Sequence, residues 1–498
     1  LNEEDVKFLV VEPAKGEYKD ITAFGGKSDV TVYGTNPKVK ETEMLQINPF
    51  SFPKEVHVLE HLDRLVEIFN VCWPMYAAMP AILKDAIERA YEKAGWDIEM
   101  SENKYDDNLF PTFKDVYEQI REVLEESEYS ADNKGDYTGA LVTRLRSLTT
   151  GINGLIFNAD EISMEELFDT NVIVDLSRIG STETKSLIMG LLVLKLQEYR
   201  MGVSEANQHL KHVTVLEEAH NLLKRTSSEQ SSESGNLLGK SVEMLANSIA
   251  EMRTYGEGFI IADQSPGLLD MSVIRNTNTK IILRLPDYED RELVGRAAGL
   301  NDEQIVELAK LDNGVAAVMQ SDWLEPVLCQ IDKYERKYDW MEEYEKSNEE
   351  NDSLKKISVE KELLNCIMNN ELYRKNDRVD IKKLKDKVIH SKLETPVKCD
   401  FMEYVFAEEP NLFKPLQKLL FDFLHAEKAI ENAKECTEMK PWLRNVINSL
   451  SPSVQSFETE QINLVLGLII AEKVQRDAEY EEIYNHFTEL YIKGRGIV

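Results

Sequence analysis

An apolar run, VTVLEEAHNLL (Val213 to Leu223), ends in two adjacent carboxylates, Glu217 and Glu218, and then enters a helix-like stretch. Neighbouring acids repel and neither adds to a core, so a strand delivering both to one sheet edge points to a metal or a water to be handled. In phosphoryl-transfer sites one such carboxylate orients water on a nucleotide-bound Mg2+ and the next polarises the attacking water. On that logic Glu217 is the Mg2+-side acid and Glu218 the catalytic one. A solvated strand-to-helix junction, its acids favoured by a helix N-terminus, uses the same residues without chemistry. A second run, GFIIADQSPGLLD, places Asp263 and Gln264 after apolar residues and before the turn Ser265-Pro266-Gly267. Beside the acid-bearing strand, Gln264 is placed to sense a γ-phosphate; capping the turn is its plainer use. Just upstream, AEMRTYGEG sets Arg253 at a helix end before a glycine-bounded turn. From there an arginine could stabilise charge on a neighbouring subunit's γ-phosphate, or simply form a surface ion pair. Arg284, in KIILRL, is a further candidate for nucleotide contact.

Two other motifs are decoys. FGGKSDVTVY contains Gly26-Lys27-Ser28, but Ile21 stands where a phosphate loop needs its first glycine. The lysine and serine lead into a strand rather than into the helix whose N-terminus would hold phosphate. HVLEH (His57 to His61) has the inverted zinc-protease spacing, and on one helix its histidines could share a metal. No downstream acid motif completes it, so a pair of partly exposed histidines is the better reading. The basic stretch RVDIKKLKDKVIHSK (Arg378 to Lys392) has acids interleaved and reads as a solvated helix face.

The elements that must position these residues are short β-branched runs separated by helical patterns. Phe8 to Val11, Val30 to Tyr33, Val172 to Val174, Val213 to Leu216, Phe259 to Ile261, Ile281 to Leu283 and Val315 to Met319 all read as strands. Several are uninterrupted rather than alternating, as strands buried on both faces require. With helical patterns at Lys185 to Tyr199 and Lys240 to Met252, they predict an α/β fold with a doubly wound, mainly parallel sheet. Between about Pro53 and Leu167 the periodicity is almost wholly helical, which predicts a helical insertion. TSSEQSSESG (Thr226 to Gly235) reads as a flexible loop, residues 332–352 as an acidic linker or exposed helix, and residues 353–498 as a C-terminal helical domain.

Composition sets outer bounds. The 498 residues are 42% hydrophobic and 30% charged, enough for a large core or two to three domains. A net charge of -32 argues against a general coat for nucleic acid or membrane, yet leaves room for a local basic lining such as a pore. Five scattered cysteines, with no C-x-x-C pair, point to a reduced, cytoplasmic protein and away from zinc or a disulfide framework. No apolar run reaches the ~18 residues of a membrane span, and no signal peptide is visible.

Taken in order, five segments resemble the HerA/FtsK-type hexameric ATPases, and specifically their HerA branch. FLVVEPAKGEYKD is similar to the segment where the family has an acid, a short turn and Gly-Glu-Tyr. NVIVDLSRIGSTETKSLIMGLLV resembles the strand and helix before Walker B, and VTVLEEAHNLL the Walker B segment itself. AEMRTYGEGFIIADQSPGLLD resembles the arginine-finger and sensor block, and NTKIILRLPDYEDRELV the strand after it. The agreement runs over about residues 6–331. The resemblance implies a RecA-like core over residues 1–331 interrupted by the insertion at about 53–167. It assigns Glu12 to an acid assisting catalysis, although the family often has Asp there, and Glu17 to the acid of Gly-Glu-Tyr. Glu217 and Glu218 match the Walker B pair, Gln264 the sensor and Arg253 the finger acting in trans. It further implies ATP and Mg2+ as cofactors, a homo-oligomeric and hexameric ring, duplex DNA through the pore, and a nuclease or other effector as partner. Such a motor would serve DNA processing or anti-phage defence. The family's phosphate loop is expected one helix upstream of FLVVEPAKGEY, before Leu1, so these 498 residues by themselves are expected to hydrolyse ATP poorly. The alternative is a non-hydrolysing scaffold, derived from such an ATPase, that assembles an effector complex.

Overall fold

The computed structural model describes residues 6–19, 30–39, 42–73, 75–225, 234–333, 359–369, 380–407, 413–434, 436, 438–450, 454 and 457–492. The Gly26-Lys27-Ser28 segment, residues 226–233 of the expected polar loop and most of the expected acidic linker lie outside them. Cα packing divides the chain into two units, Leu1–Arg89 with Val116–Ser353, and Ala90–Asp115 with Leu354–Val498.

The first unit is built on six parallel strands. They are β1 (Lys7–Glu12), β2 (Val30–Gly34), β3 (Glu43–Met44), β6 (Asn171–Asp175), β7 (His212–Glu217) and β8 (Glu257–Ala262), in the order β3-β2-β6-β1-β7-β8. The apolar runs demand this placement. Leu9, Val10 and Val11 of β1, and Val172, Ile173 and Val174 of β6, are at most 2% exposed, which requires cover on both faces of the sheet. Part of that cover is the helix Thr182–Val203, whose buried residues run almost all round it, as expected of a helix sunk in a core. Gly190 lets it approach the helix Val58–Cys72: a Cβ there would lie 2.8 Å from Ile68 Cγ2. The result is an α/β fold with a parallel main sheet. The Ile281 and Val315 runs form a separate antiparallel sheet, β11-β10-β9, from β9 (Thr279–Ile282), β10 (Val315–Gln320) and β11 (Val327–Gln330).

The region between β3 and β6 is helical except for a small hairpin, β4 (Trp96–Asp97) and β5 (Glu102–Asn103). That hairpin belongs to the second unit rather than to the sheet-bearing one. Tyr105 donates to Glu403 Oε1 at 2.9 Å, Lys385 pairs with Asp106 at 2.8 Å, and Thr395 donates to Asp115 at 2.7 Å. The other elements among the described residues of the second unit are helices, around a core that includes Leu363, Phe401, Tyr404, Leu420, Leu466 and Ile469.

Candidate active site at the C-terminal edge of the sheet

Because the strands are parallel, their C-terminal ends share one edge, and register sets which residues meet there. Glu12 is level with Asp175, and Val11 with Leu216, so Glu217 follows beside Glu12; Glu217 is level with Ala262, so Asp263 follows on the next strand. Four strand ends thus deliver Glu12, Asp175, Glu217 with Glu218, and Asp263 with Gln264 to one line. This is the edge of an open α/β sheet where ligands bind.

Each acid is held differently. Glu12 is 3% exposed and accepts the backbone N–H groups of Glu17 at 2.7 Å and Tyr18 at 3.1 Å. Burial raises its carboxyl above the usual range; those donors oppose the shift, and the neighbouring Asp175 adds to it. Asp175 faces the same burial, but Lys19 at 2.6 Å and the Ser177 donors outweigh it and hold its carboxyl low. Gly16, at φ +71°, brings the turn against this pair, where a Cβ would lie 3.3 Å from Ser177 Oγ. Glu217 accepts the phenol of Tyr18 at 2.5 Å. Burial and that carboxylate push the phenol's pKa far up, so Tyr18 is a donor at neutral pH.

Glu218 stands at φ +46°, ψ +49°, a left-handed conformation costing a non-glycine residue about 1–2 kcal/mol. The next turn compensates: Asn221 donates to the Glu218 carbonyl through its backbone at 2.9 Å and its side-chain amide at 2.8 Å. The Glu218 carboxylate accepts from the Gln264 amide. Strained backbone of this kind marks sites where a side chain must be aimed. Two contacts tie the helix Thr182–Val203 to the edge, from Lys185 to the Pro13 carbonyl at 2.6 Å and from Ser186 to the Asn221 carbonyl at 2.5 Å.

The structure therefore brings Glu12, Glu217, Glu218 and Gln264 together. Arg284 and Gln264 line one cavity of about 470 Å³, with Ile261, Asp263, Thr279 and Ile281. Glu17 enters the cluster only through its backbone: its carboxylate is 72% exposed and lies 4.0 Å from Lys15. Arg253 is exposed at the opposite edge, in the turn Met252–Tyr255 that precedes β8. The length of that strand, about 17 Å, separates it from the acids of its own chain. Its turn is anchored by Gly256 at φ +82°, where a Cβ would lie 2.4 Å from the His209 carbonyl oxygen. Beside it the buried Glu257 is met by the His212 ring at 2.6 Å, Thr214 at 2.9 Å and Arg200 at 3.2 Å.

Sequence reasoning passed over Tyr18, Lys19, Asp175 and His220. Tyr18 and Lys19 sat in plain view beside the Gly-Glu-Tyr acid, and His220 two residues beyond Glu218. The zinc motif dissolves. His57 is the N-cap of the helix Val58–Cys72, its Nδ1 accepting from Leu59 N, while His61, expected to be partly exposed, is instead fully buried 2.9 Å from Glu198. Among the described residues the group with metal-ligand spacing is Glu218, His220 and Asp263. The oxygen-rich strand ends suit a hard divalent cation such as Mg2+. No helix of the described residues is long and apolar enough to cross a membrane.

No family model matches the chain. It is 34% identical over 145 residues to the DNA double-strand break repair helicase HerA of Sulfurisphaera tokodaii, covering 28% of this chain and 27% of that protein. It is 29% identical over 181 residues to the HerA of Sulfolobus acidocaldarius, covering 36% and 34%. The matches thus span about a third or less of these relatives' length. Among solved structures it is similar to VirB4 of Thermoanaerobacter pseudethanolicus, at 17% identity and a TM-score of 0.49, over 68% of this chain and 84% of that one. The chain is thus similar in sequence to HerA helicases over about a third of its length, and the acids of its apolar runs align on one parallel-sheet edge.

Proposed function

We propose that the protein is a cytoplasmic, ATP-driven DNA translocase subunit of a homo-oligomeric, hexameric ring, working with a nuclease or other effector in DNA processing or anti-phage defence. One observation carries this reading: Glu12, Glu217, Glu218 and Gln264 line up at one sheet edge, with Arg253 at the opposite edge. In a head-to-tail ring such an arrangement pairs one subunit's acids with its neighbour's arginine. Glu217 supplies the carboxylate on the metal side, Glu12 assists catalysis from beside it, and Mg2+, when bound there with ATP, would offset phosphate charge. Glu218 orients the attacking water and takes up its proton, Gln264 reads the γ-phosphate, and Arg284 contacts the nucleotide from the cavity it shares with Gln264. The helices of residues 53–167 and of the C-terminal unit would dock the partner. The test is ATP turnover of the full-length protein beside Glu218→Gln. A mutant that falls to background supports hydrolysis at this edge; equal turnover in both removes Glu218 from the chemistry.

A net charge of -32 favours a second reading, a non-hydrolysing scaffold that organises an effector. DNA binding separates the two: a translocase binds duplex DNA with an affinity that falls steeply as salt rises, whereas a scaffold need not bind it at all.

A further inference from the structure

Asp263 joins the two loops that leave β7 and β8. Its Oδ2 receives both the backbone N–H of His220 at 2.9 Å and the ring Nδ1 of the same histidine at 2.8 Å, while its Oδ1 receives Ser265 N at 2.8 Å. The Asp263 side chain is only 2% exposed. A carboxylate oxygen so placed can only accept, so the hydrogen of the imidazole resides on Nδ1. The same Nδ1 lies 3.5 Å from Glu218 Oε2, and the residue after Asp263, Gln264, donates to Glu218 Oε1. Farther along, the loops are stapled again: Arg225 N donates to the Leu268 carbonyl at 2.7 Å and Asp270 N to the Leu223 carbonyl at 2.9 Å. The strained Glu218 therefore lies between two side chains, His220 and Gln264, that are both referred to Asp263, one by hydrogen bonds and one by sequence.

We infer that His220 and Asp263 are a positioning couple for hydrolysis, aiming the Glu218 carboxylate and locking it to the γ-phosphate-reading residue on the neighbouring strand. Neither needs to touch nucleotide. The inference rests on the hydrolysis reading above and adds to it a coupling: rotation of Gln264 toward a bound phosphate would release one Glu218 oxygen while His220, fixed by Asp263, remains a stop 3.5 Å from the other. A one-ångström loss of aim is enough to slow such a step severely.

The test uses the full-length protein and two readouts. Amide hydrogen exchange of residues 220–222 reports the loop tie without nucleotide, comparing wild type with Asp263→Ala. Steady-state ATP hydrolysis compares His220→Ala and His220→Asn, the latter keeping a side-chain N–H for Asp263. His220 is partly exposed, so these variants are expected to fold even where Asp263→Ala does not. We expect exchange to quicken at least about tenfold in Asp263→Ala, and kcat to fall at least about tenfold at unchanged KM in His220→Ala, with much of it regained in His220→Asn. Unchanged exchange in a folded Asp263→Ala, or kcat within about twofold of wild type in His220→Ala, overturns the couple and leaves hydrolysis standing. A wild type without turnover, whose exchange still responds to Asp263→Ala, overturns the hydrolysis reading and the aiming role with it.

Discussion

The phenol of Tyr18 donates to Glu217 Oε1 at 2.5 Å, joining the turn after β1 to the acid that closes β7, 199 residues later. Burial, and next the carboxylate itself, keep the phenol's pKa far above its ordinary value, so the bond persists across the neutral range. Removing the hydroxyl in Tyr18→Phe leaves Glu217 part-buried and short of a donor. We expect a stability loss of about 1–2 kcal/mol by denaturant titration. If the protein hydrolyses ATP as proposed, we expect a several-fold rise in the Mg2+ concentration giving half-maximal turnover. An unchanged Mg2+ requirement would separate Glu217 from the metal.

Asp175 and Lys19 give a pH prediction with a definite sign. Burial pushes the Asp175 carboxyl up, but Lys19 and Ser177 more than cancel that and hold it below the ordinary carboxylate value. A folded-state value below the unfolded one contributes stability that is complete above about pH 4 and is lost as pH falls through the folded value. Lys19→Met should therefore cost about 3 kcal/mol near neutrality, because it strands a carboxylate that is 3% exposed. The cost should shrink towards zero in acid, as Asp175 protonates in both states. Urea titrations of both proteins at pH 7 and pH 3 measure this directly. An equal loss at both pH values would show that Lys19 acts through packing instead.

These two residues also mark where sequence reasoning stops. Apolar runs ending in polar residues are visible in one dimension, because a strand buried on both faces must be apolar until it reaches the sheet edge; Glu217 and Gln264 were legible for that reason, and Glu12 through the resemblance of its segment. Which member of a turn faces inward is not. Glu17 was the residue singled out, yet its carboxylate is in solvent, and Tyr18 and Lys19 make the contacts. His57 and His61 failed differently. Their i,i+4 spacing has meaning only inside one helix, and the helix starts at Val58, leaving His57 as its cap. Nor could periodicity show that residues 90–115, within the helical region before β6, pack with the C-terminal helices, since that association joins segments more than 200 residues apart.

Gly256 separates Arg253 from β8 and admits no side chain. At φ +82° any other residue is strained, and its Cβ would lie 2.4 Å from the His209 backbone oxygen. Gly256→Ala should cost about 2–4 kcal/mol, read as a lowered denaturant midpoint at unchanged m-value. If the variant is as stable as wild type, the turn carrying Arg253 is not fixed by this glycine.

Arg253 cannot serve the acids of its own chain, since β8 runs between them. That geometry predicts complementation. Arg253→Ala retains the acids and Glu218→Gln retains the arginine, and each alone should be inactive. In a ring assembled from equal amounts, about a quarter of head-to-tail interfaces combine an intact Glu218 with an intact Arg253, so turnover should return to roughly that fraction of wild type. Cooperativity between interfaces would lower the figure without abolishing it. The control is a mixture of Glu218→Gln with the double mutant, which contains no intact interface and should stay at background. Complementation above that control establishes that the arginine acts across the interface. If the mixture shows none, although gel filtration finds both proteins in the same rings, then Arg253 lies outside the catalytic interface and its turn is an ordinary surface feature of the sheet's N-terminal edge.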